Sequence, residues 1–161
     1  PADRALSAGE PPAAMTDDPL AFQLFTEIAI IDQLAGTAFE RALPAGMTRA
    51  QFTVLHHLSR IAEGAQSPAR MADAIQVSRA MMTSTVGRLA QRQLVEVLPD
   101  PADGRGKLVQ LTAEGRAMRD TCIAAVAPLL PLANSVYPPT EMADLIAALR
   151  KLRERLDGDR D

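Results

Sequence analysis

Apolar residues first fall into a regular pattern at Leu20. From there Leu20, Leu24, Ile28, Ile31, Ala35, Ala38 and Ala42 recur at helical spacing, with Phe25, Phe39 and Leu43 beside them, until Pro44-Ala45-Gly46 ends the run. The pattern predicts a helix of about two dozen residues. Its stripe is wider than a small neighbour can cover, so part of it is expected to meet another chain. Thr48-Arg49-Ala50-Gln51 reads as a capping box, in which the threonine oxygen accepts from a first-turn amide and the glutamine reaches back. It predicts a second helix with Phe52, Leu55, Leu58 and Ile61 inward, stopping at Glu63-Gly64. Ser67-Pro68 supplies a cap and the proline suited to a first helical position, opening a short helix through Met71, Ala72 and Ile75. Gln76-Val77 breaks it, and Ser78 caps a fourth helix running to about Arg92.

Beyond that the period changes to two. Leu94-Val95-Glu96-Val97-Leu98 and Lys107-Leu108-Val109-Gln110-Leu111 alternate as strands do, and Pro99 to Gly106 between them predicts a hairpin with a long tip. Thr112 caps a further amphipathic helix through Met118, Cys122, Ile123 and Val126, which Pro128 and Pro131 must kink or break. Pro138-Pro139-Thr140 opens a last helix. Met142, Leu145, Ile146, Leu149, Leu152 and Leu156 lie on one side of it, Arg150, Lys151, Arg153 and Arg155 on the other. The first nineteen residues hold four prolines and no period, so residues 1–19 are expected to be a disordered tail. Residues 157–161 are expected to be a short polar one. No internal repeat is present.

Length and composition narrow the classes. At 161 residues the chain fits one domain, or a domain with an oligomerisation appendage. One cysteine, Cys122, and two histidines, His56 and His57, allow neither an internal disulfide nor a Cys-rich zinc site, so no metal or cofactor is expected. No run approaches the roughly 20 apolar residues that span a bilayer, and the N-terminus lacks the order of a signal peptide. The expectation is a cytoplasmic protein with no membrane partner. A formal charge of −3 argues against nucleic acid only if charge is evenly spread. It is not: Ser67 to Lys107 carries +2 and the remainder −5, and Ser78 to Gln93 holds three arginines and no acid.

A short helix, a tight turn, a basic helix without acids and then a hairpin with a basic tip is the order of a winged helix-turn-helix. An α-helix fits the DNA major groove and its N-terminal turns meet base edges, while a flanking hairpin can place an arginine in the minor groove. At 100° per residue, Met82, Thr85, Val86 and Leu89 share the core side of the fourth helix. Ala80, Ser84, Gly87 and Gln91 lie opposite, flanked by Met81, Thr83 and Arg88. Small residues there allow close approach to the groove floor. Arg79, Thr83, Ser84 and Arg88 are the candidate major-groove residues, Ser78, Ala80 and Met81 further candidate DNA-binding residues of the same helix, and Asp103, Arg105 and Lys107 those of the wing, with Asp103 holding the tip while Arg105 points outward. Two other readings stand beside this one. An exposed helix also tolerates small residues, and a winged domain can serve as a protein-interaction module without specific DNA binding. No glycine-rich phosphate loop, His-Glu-x-x-His or nucleophile elbow is present, so an enzyme is not expected.

These motifs carry a family resemblance. Met47-Thr48-Arg49-Ala50-Gln51-Phe52-Thr53-Val54-Leu55 and Val77-Ser78-Arg79-Ala80-Met81-Met82 resemble the second-helix opening and recognition-helix start of the MarR family of bacterial transcription regulators. Asp100-Pro101-Ala102-Asp103-Gly104-Arg105 followed by Leu111-Thr112-Ala113-Glu114-Gly115-Arg116 resembles its wing and the helix after it. The chain departs from the pattern at Ala102, where the family often has a basic residue, and at Gln93, where it often has glycine.

The resemblance implies a mostly α fold with a small β-hairpin wing, a winged helix-turn-helix with an α-helical dimerisation region. Residues 20–46 and 113–156 would interleave into a homodimer, and residues 47–112 would bind a pseudo-palindromic double-stranded operator, as a repressor in most of the family. It also implies release by a small aromatic or phenolic acid held between the two regions. His56, His57 and Arg60 are candidate carboxylate partners, of which at most one histidine is expected to face a cleft, and Phe22 and Phe25 are candidate apolar walls. Cys122 is either a redox sensor or, at its mid-helix apolar position, a small buried hydrophobe.

Overall fold

A computed structural model of the chain describes residues 18–61 and 64–158. They fall into two compact units, divided between Gly36 and Thr37. Of the expected disordered tail, residues 1–17 lie outside the described residues. The first unit contains the start of helix α1 (Leu20–Ala42), which runs on across the boundary. The predicted helix is there, and its stripe stands in water: Leu20, Leu24, Phe25, Ile31 and Leu34 are all exposed, and no residue of α1 is buried.

The second unit continues with α2 (Arg49–Leu58), β1 (Ala65–Gln66), α3 (Pro68–Ile75), α4 (Arg79–Gln91), β2 (Val95–Asp100) and β3 (Asp103–Leu111). After these come α5 (Ala113–Val126), a 3-10 turn (Ala127–Leu129), α6 (Leu130–Val136) and α7 (Pro139–Gly158). The capping box forms as read: Gln51 N–H donates to Thr48 Oγ1 at 3.2 Å and Thr48 N–H to Gln51 Oε1 at 3.1 Å. Helix α2 nevertheless ends at Leu58, short of the expected stop at Glu63-Gly64. The Ser59 hydroxyl turns back to His56 O at 2.7 Å, and the chain then enters β1, whose pairing outweighs the helical pattern. Val54, with Leu55 and Leu58, fills the inward face; Phe52 and Ile61 are half-buried.

Strand β1 corrects the two-stranded expectation. The sheet has three antiparallel strands in the order β1-β3-β2, with Ala65 opposite Gln110 and Gln66 opposite Val109. Two residues are too few to leave a periodic trace in the sequence. The hairpin tip is also tighter than predicted, because the strands continue to Asp100 and Asp103 and leave Pro101-Ala102 as the turn. Gly104, Arg105 and Gly106 are taken up as a bulge, since Pro99 pairs with Lys107 while Asp100 pairs with Asp103. Gly106 is required there: a Cβ would lie 2.9 Å from Asp100 Cβ and 3.2 Å from Asp103 Cβ.

Leu55, Met71, Met82, Leu89, Val109 and Cys122 form the fully buried centre. Burying each large aliphatic side chain contributes about 1.5–3 kcal/mol. Two helix ends around this core use glutamine where glycine is the common choice. Gln76 (φ 64°) and Gln93 (φ 58°) both adopt the left-handed conformation. At each, the next residue's amide reaches back to the helix, Val77 N–H to Ala72 O and Leu94 N–H to Leu89 O, both at 3.0 Å, closing Schellman motifs. Gln93 therefore takes the turn in which the family often has glycine.

Pro128 and Pro131 end α5 as expected, the chain passing through the 3-10 turn into α6. Helix α7 runs to Gly158, so the start of the expected polar tail is helical, and residues 159–161 lie outside the described residues. Neither α6 nor α7 has a buried residue. No single helix among the described residues is long and apolar enough to cross a membrane.

Candidate nucleic-acid interface

Helix α4 is seated by its core side and held at both ends. Met82, Thr85, Val86 and Leu89 are buried, the four residues read from the sequence as its inner face. Ser78 caps it, its Oγ accepting from Met81 N–H at 3.2 Å, so the hydroxyl is committed to shaping the first turn. At the other end Arg92 donates from Nη1 to Gly46 O at 2.7 Å and lies 3.0 Å from Met47 Sδ. That guanidinium ties the end of α4 to the loop before α2. Sequence reasoning counted Arg92 as charge alone, because a bond across 46 residues has no local signal.

The outer side of α4 is an exposed surface of Arg79, Ala80, Met81, Thr83, Ser84, Gly87 and Arg88. It carries two arginines and no carboxylate. Thr83 donates its hydroxyl to Arg79 O at 2.9 Å, leaving oxygen lone pairs outward. In the wing, Asp103 Oδ1 accepts from Arg105 N–H at 3.0 Å and Asp100 Oδ1 from Ala102 N–H at 2.9 Å. The two carboxylates thus shape the tip from within, while Arg105 and Lys107 remain exposed on it. The expected division of labour between Asp103 and Arg105 is the one the hydrogen bonds make.

The joint between wing and α5 explains the Leu-Thr-x-x-Gly motif. Thr112 Oγ1 accepts from Gly115 N–H at 2.9 Å, capping α5, and donates to Gln93 O at 2.8 Å. Thr112 N–H reaches Leu94 O at 3.3 Å. A Cβ on Gly115 would come 1.9 Å from that same Leu94 oxygen. The motif fastens the first turn of α5 against the end of α4 and the start of the wing.

The candidate effector residues lie elsewhere. A cleft of about 350 Å³ is lined by Thr53, His56, His57, Arg60, Ile61, Ala74 and Ile75. Both histidines line it, against the expectation of one. Residues 100° apart on a helix can flank a single opening, and β1 fixes one of them: His57 Nε2 and Gln66 Oε1 are 2.7 Å apart. His56 stacks on Phe52, ring centroids 5.6 Å apart, and Phe52 meets Phe39 at 5.3 Å. Burial pushes the His56 pKa down, helped by the nearby Arg119, Arg60 and His57 charges. His56 Nδ1 and Arg119 Nε are both buried without a hydrogen-bond partner among the described residues. Arg119 went unnoticed in the sequence because it sits on another helix. Phe22 and Phe25 stand exposed on the first unit's part of α1. Cys122 is fully buried and burial raises its pKa, partly offset by Arg92, so it is a thiol packed in the core. No group of three or more metal-ligating side chains occurs among the described residues.

A recognition helix presented beside a three-stranded wing defines a winged helix-turn-helix protein. A model of the MarR family matches residues 45–106. Over 120 residues the chain is 31% identical to the HTH-type transcriptional repressor NicR of Pseudomonas putida, covering 74% of this chain and 73% of that one. The chain belongs to the MarR family, a family of transcriptional regulators. Among solved structures, a mutant MarR from Escherichia coli complexed with operator DNA superposes with a TM-score of 0.73 at 28% identity, over 83% of this chain and 95% of that one. BpsR of Bordetella bronchiseptica, whose DNA binding is regulated by 6-hydroxynicotinic acid, gives 0.72 at 29% identity over 81% and 98%.

Proposed function

We propose that the chain is a sequence-specific, double-stranded DNA-binding transcriptional regulator, acting as a homodimer on a pseudo-palindromic operator as a repressor. Residues 47–112 bind DNA, and residues 20–46 and 113–156 dimerise. The observation that carries this reading is the outer face of α4, exposed, doubly cationic and free of carboxylates, beside a wing tip that holds Arg105 and Lys107 outward. A protein partner gives no reason to exclude acids from that face, whereas phosphates do. Ser78, Arg79, Ala80, Met81, Thr83, Ser84 and Arg88 face the major groove and its phosphates, and Arg105 the minor groove. The cytoplasm is where such a regulator meets its operator.

The effector is a small aromatic or phenolic acid. The cleft beside His56, His57 and Arg60 offers cationic and hydrogen-bonding partners for a carboxylate, and 6-hydroxynicotinic acid acts on the related BpsR. The test is a fluorescence-anisotropy titration with the duplex upstream of the chain's own gene against a scrambled duplex, across salt and then with aromatic carboxylates. Salt-sensitive, sequence-selective binding lost in Arg79→Ala and Arg105→Ala, and released by one compound, is expected. Unchanged affinity in both folded variants favours the interaction-module reading instead.

A further inference from the structure

One side chain on the outer side of α4 does not fit a purely electrostatic surface. Between residues 37 and 126 the described residues expose just two large apolar side chains, Met81 at 53% and Val97 at 39%. Val97 lies in β2. Met81 lies in the first turn of α4, three residues after the Ser78 cap, where a helix in the major groove meets base edges. On that helix Met81, Ser84 and Arg88 share one flank, being three and seven residues apart, while Arg79 and Thr83 share the other. The surface thus has one large apolar side chain, followed along its flank by a small polar residue and then a cation.

The ground behind Met81 is apolar as well. A cleft of about 290 Å³ between α2 and α4 is lined by Met81 together with Ala50, Val54, Ile75, Val77 and Met82 among others. A methionine has three rotatable bonds and a polarizable thioether, so it can lie along this cleft or turn outward without strain. In the major groove one base edge offers an apolar partner, the C5 methyl group of thymine. We infer that Met81 is a specificity-determining residue that reads a thymine methyl in the operator, an inference that rests on the DNA-binding reading above. Arg88, two helical turns along the same flank, is placed to meet a phosphate or guanine farther along the groove, beyond Ser84.

The test isolates the methyl. Duplexes are selected from a randomised pool by the full chain, and each thymine of the recovered sequence is then replaced singly by deoxyuridine, which removes the methyl and leaves the hydrogen-bonding edge. Wild-type protein is expected to lose about fourfold in affinity at one thymine in each half-site, the worth of one methyl group taken out of water. Met81→Ala is expected to bind thymine and deoxyuridine duplexes alike, and Met81→Leu to keep part of the preference. Because Met81 is exposed, neither variant threatens the fold; a thermal melt confirms it. Indifference of the wild type to every deoxyuridine replacement overturns the inference while leaving DNA binding intact. So does a methyl preference that survives in Met81→Ala. Recovery of no duplex from the pool overturns the DNA-binding reading and the inference together.

Discussion

The helices of the winged region and the helices at the two ends of the chain obey different rules. In α2 four of ten residues are buried, and α3 and α4 contribute Met71, Ala72, Met82, Val86 and Leu89 to the same interior. In α1, α6 and α7 no residue is buried, although each carries large apolar side chains: Leu24, Ile31, Leu130, Leu132, Leu145, Ile146 and Leu149 are all exposed. Hydrophobic periodicity therefore has two outcomes in one chain. Where residues from several elements converge, it builds a core; where none of the described residues packs over it, it leaves an apolar face exposed. The winged region builds its core from its own elements, and the terminal helices carry the apolar surface that the proposed dimer would bury.

That contrast is broken most severely on α7. Ile146→Asp combined with Leu149→Asp places charge on a face exposed in the single chain, so it is expected to spare the winged core but to abolish dimerisation. Sedimentation should show a monomer at micromolar concentration. Operator affinity should fall by at least about a hundredfold, because two half-sites are no longer engaged as one ligand. An intact dimer, or undiminished affinity from a monomer, would contradict the division drawn above. Gly115→Ala is the opposite experiment, one methyl added in the interior. With Leu94 O only 1.9 Å from the added carbon, the joint between α5 and the wing must open, at a cost of about 3 kcal/mol or more. Urea denaturation measures it, and a loss below about 0.5 kcal/mol would show that the joint is looser than its geometry.

A smaller change should act in the other direction. Gln93 occupies a left-handed turn that glycine adopts freely, and a non-glycine residue there pays a steric penalty of roughly 1–2 kcal/mol. Gln93→Gly recovers part of that, less what the freer unfolded chain gives back. Net stabilisation of about 0.5–1 kcal/mol is expected, with DNA affinity unchanged within about twofold because the Schellman bonds already hold the end of α4. Destabilisation would mean that the glutamine side chain holds the turn in a way the backbone bonds do not.

Legibility followed the same line between local and distant causes. The caps at Thr48, Ser67, Ser78 and Thr112 and the inner face of α4 could be read directly, because each is decided within one or two helical turns. The division of the wing tip between Asp103 and Arg105 was legible for the same reason. What escaped was set by partners far along the chain: β1, which exists because β3 is there to pair with it, the premature end of α2, and the Arg92 bond to Gly46. Both histidines reaching one cleft escaped too, since helical projection fixes directions and not the shape of what lies opposite. The family pattern located Gln93 as a departure, but only the backbone dihedral shows that the turn is kept and the residue changed.

His56 is where the winged interior falls short of its own rule that buried polar groups are paired. Its Nδ1 is buried and has no hydrogen-bond partner among the described residues, and desolvation together with the charges of Arg119, Arg60 and His57 lowers its pKa from the ordinary value near 6.5. The sign follows from counting protons. In the unfolded chain His56 begins to protonate as pH falls through about 6.5, while in the folded chain it stays neutral to lower pH. The unfolded state thus binds more protons in that window, and stability falls as pH falls. Above about pH 7 both states are neutral and the contribution is whole. Urea midpoints between pH 7.5 and 5.5 should therefore drop for the wild type and drop less for His56→Phe, which keeps the ring against Phe52 and removes the titration. The effect is the smallest of the four because the ring is only half-buried, so solvent screens part of the penalty. Equal slopes in the two proteins would place the acid sensitivity elsewhere and leave His56 as a packing residue of the winged core.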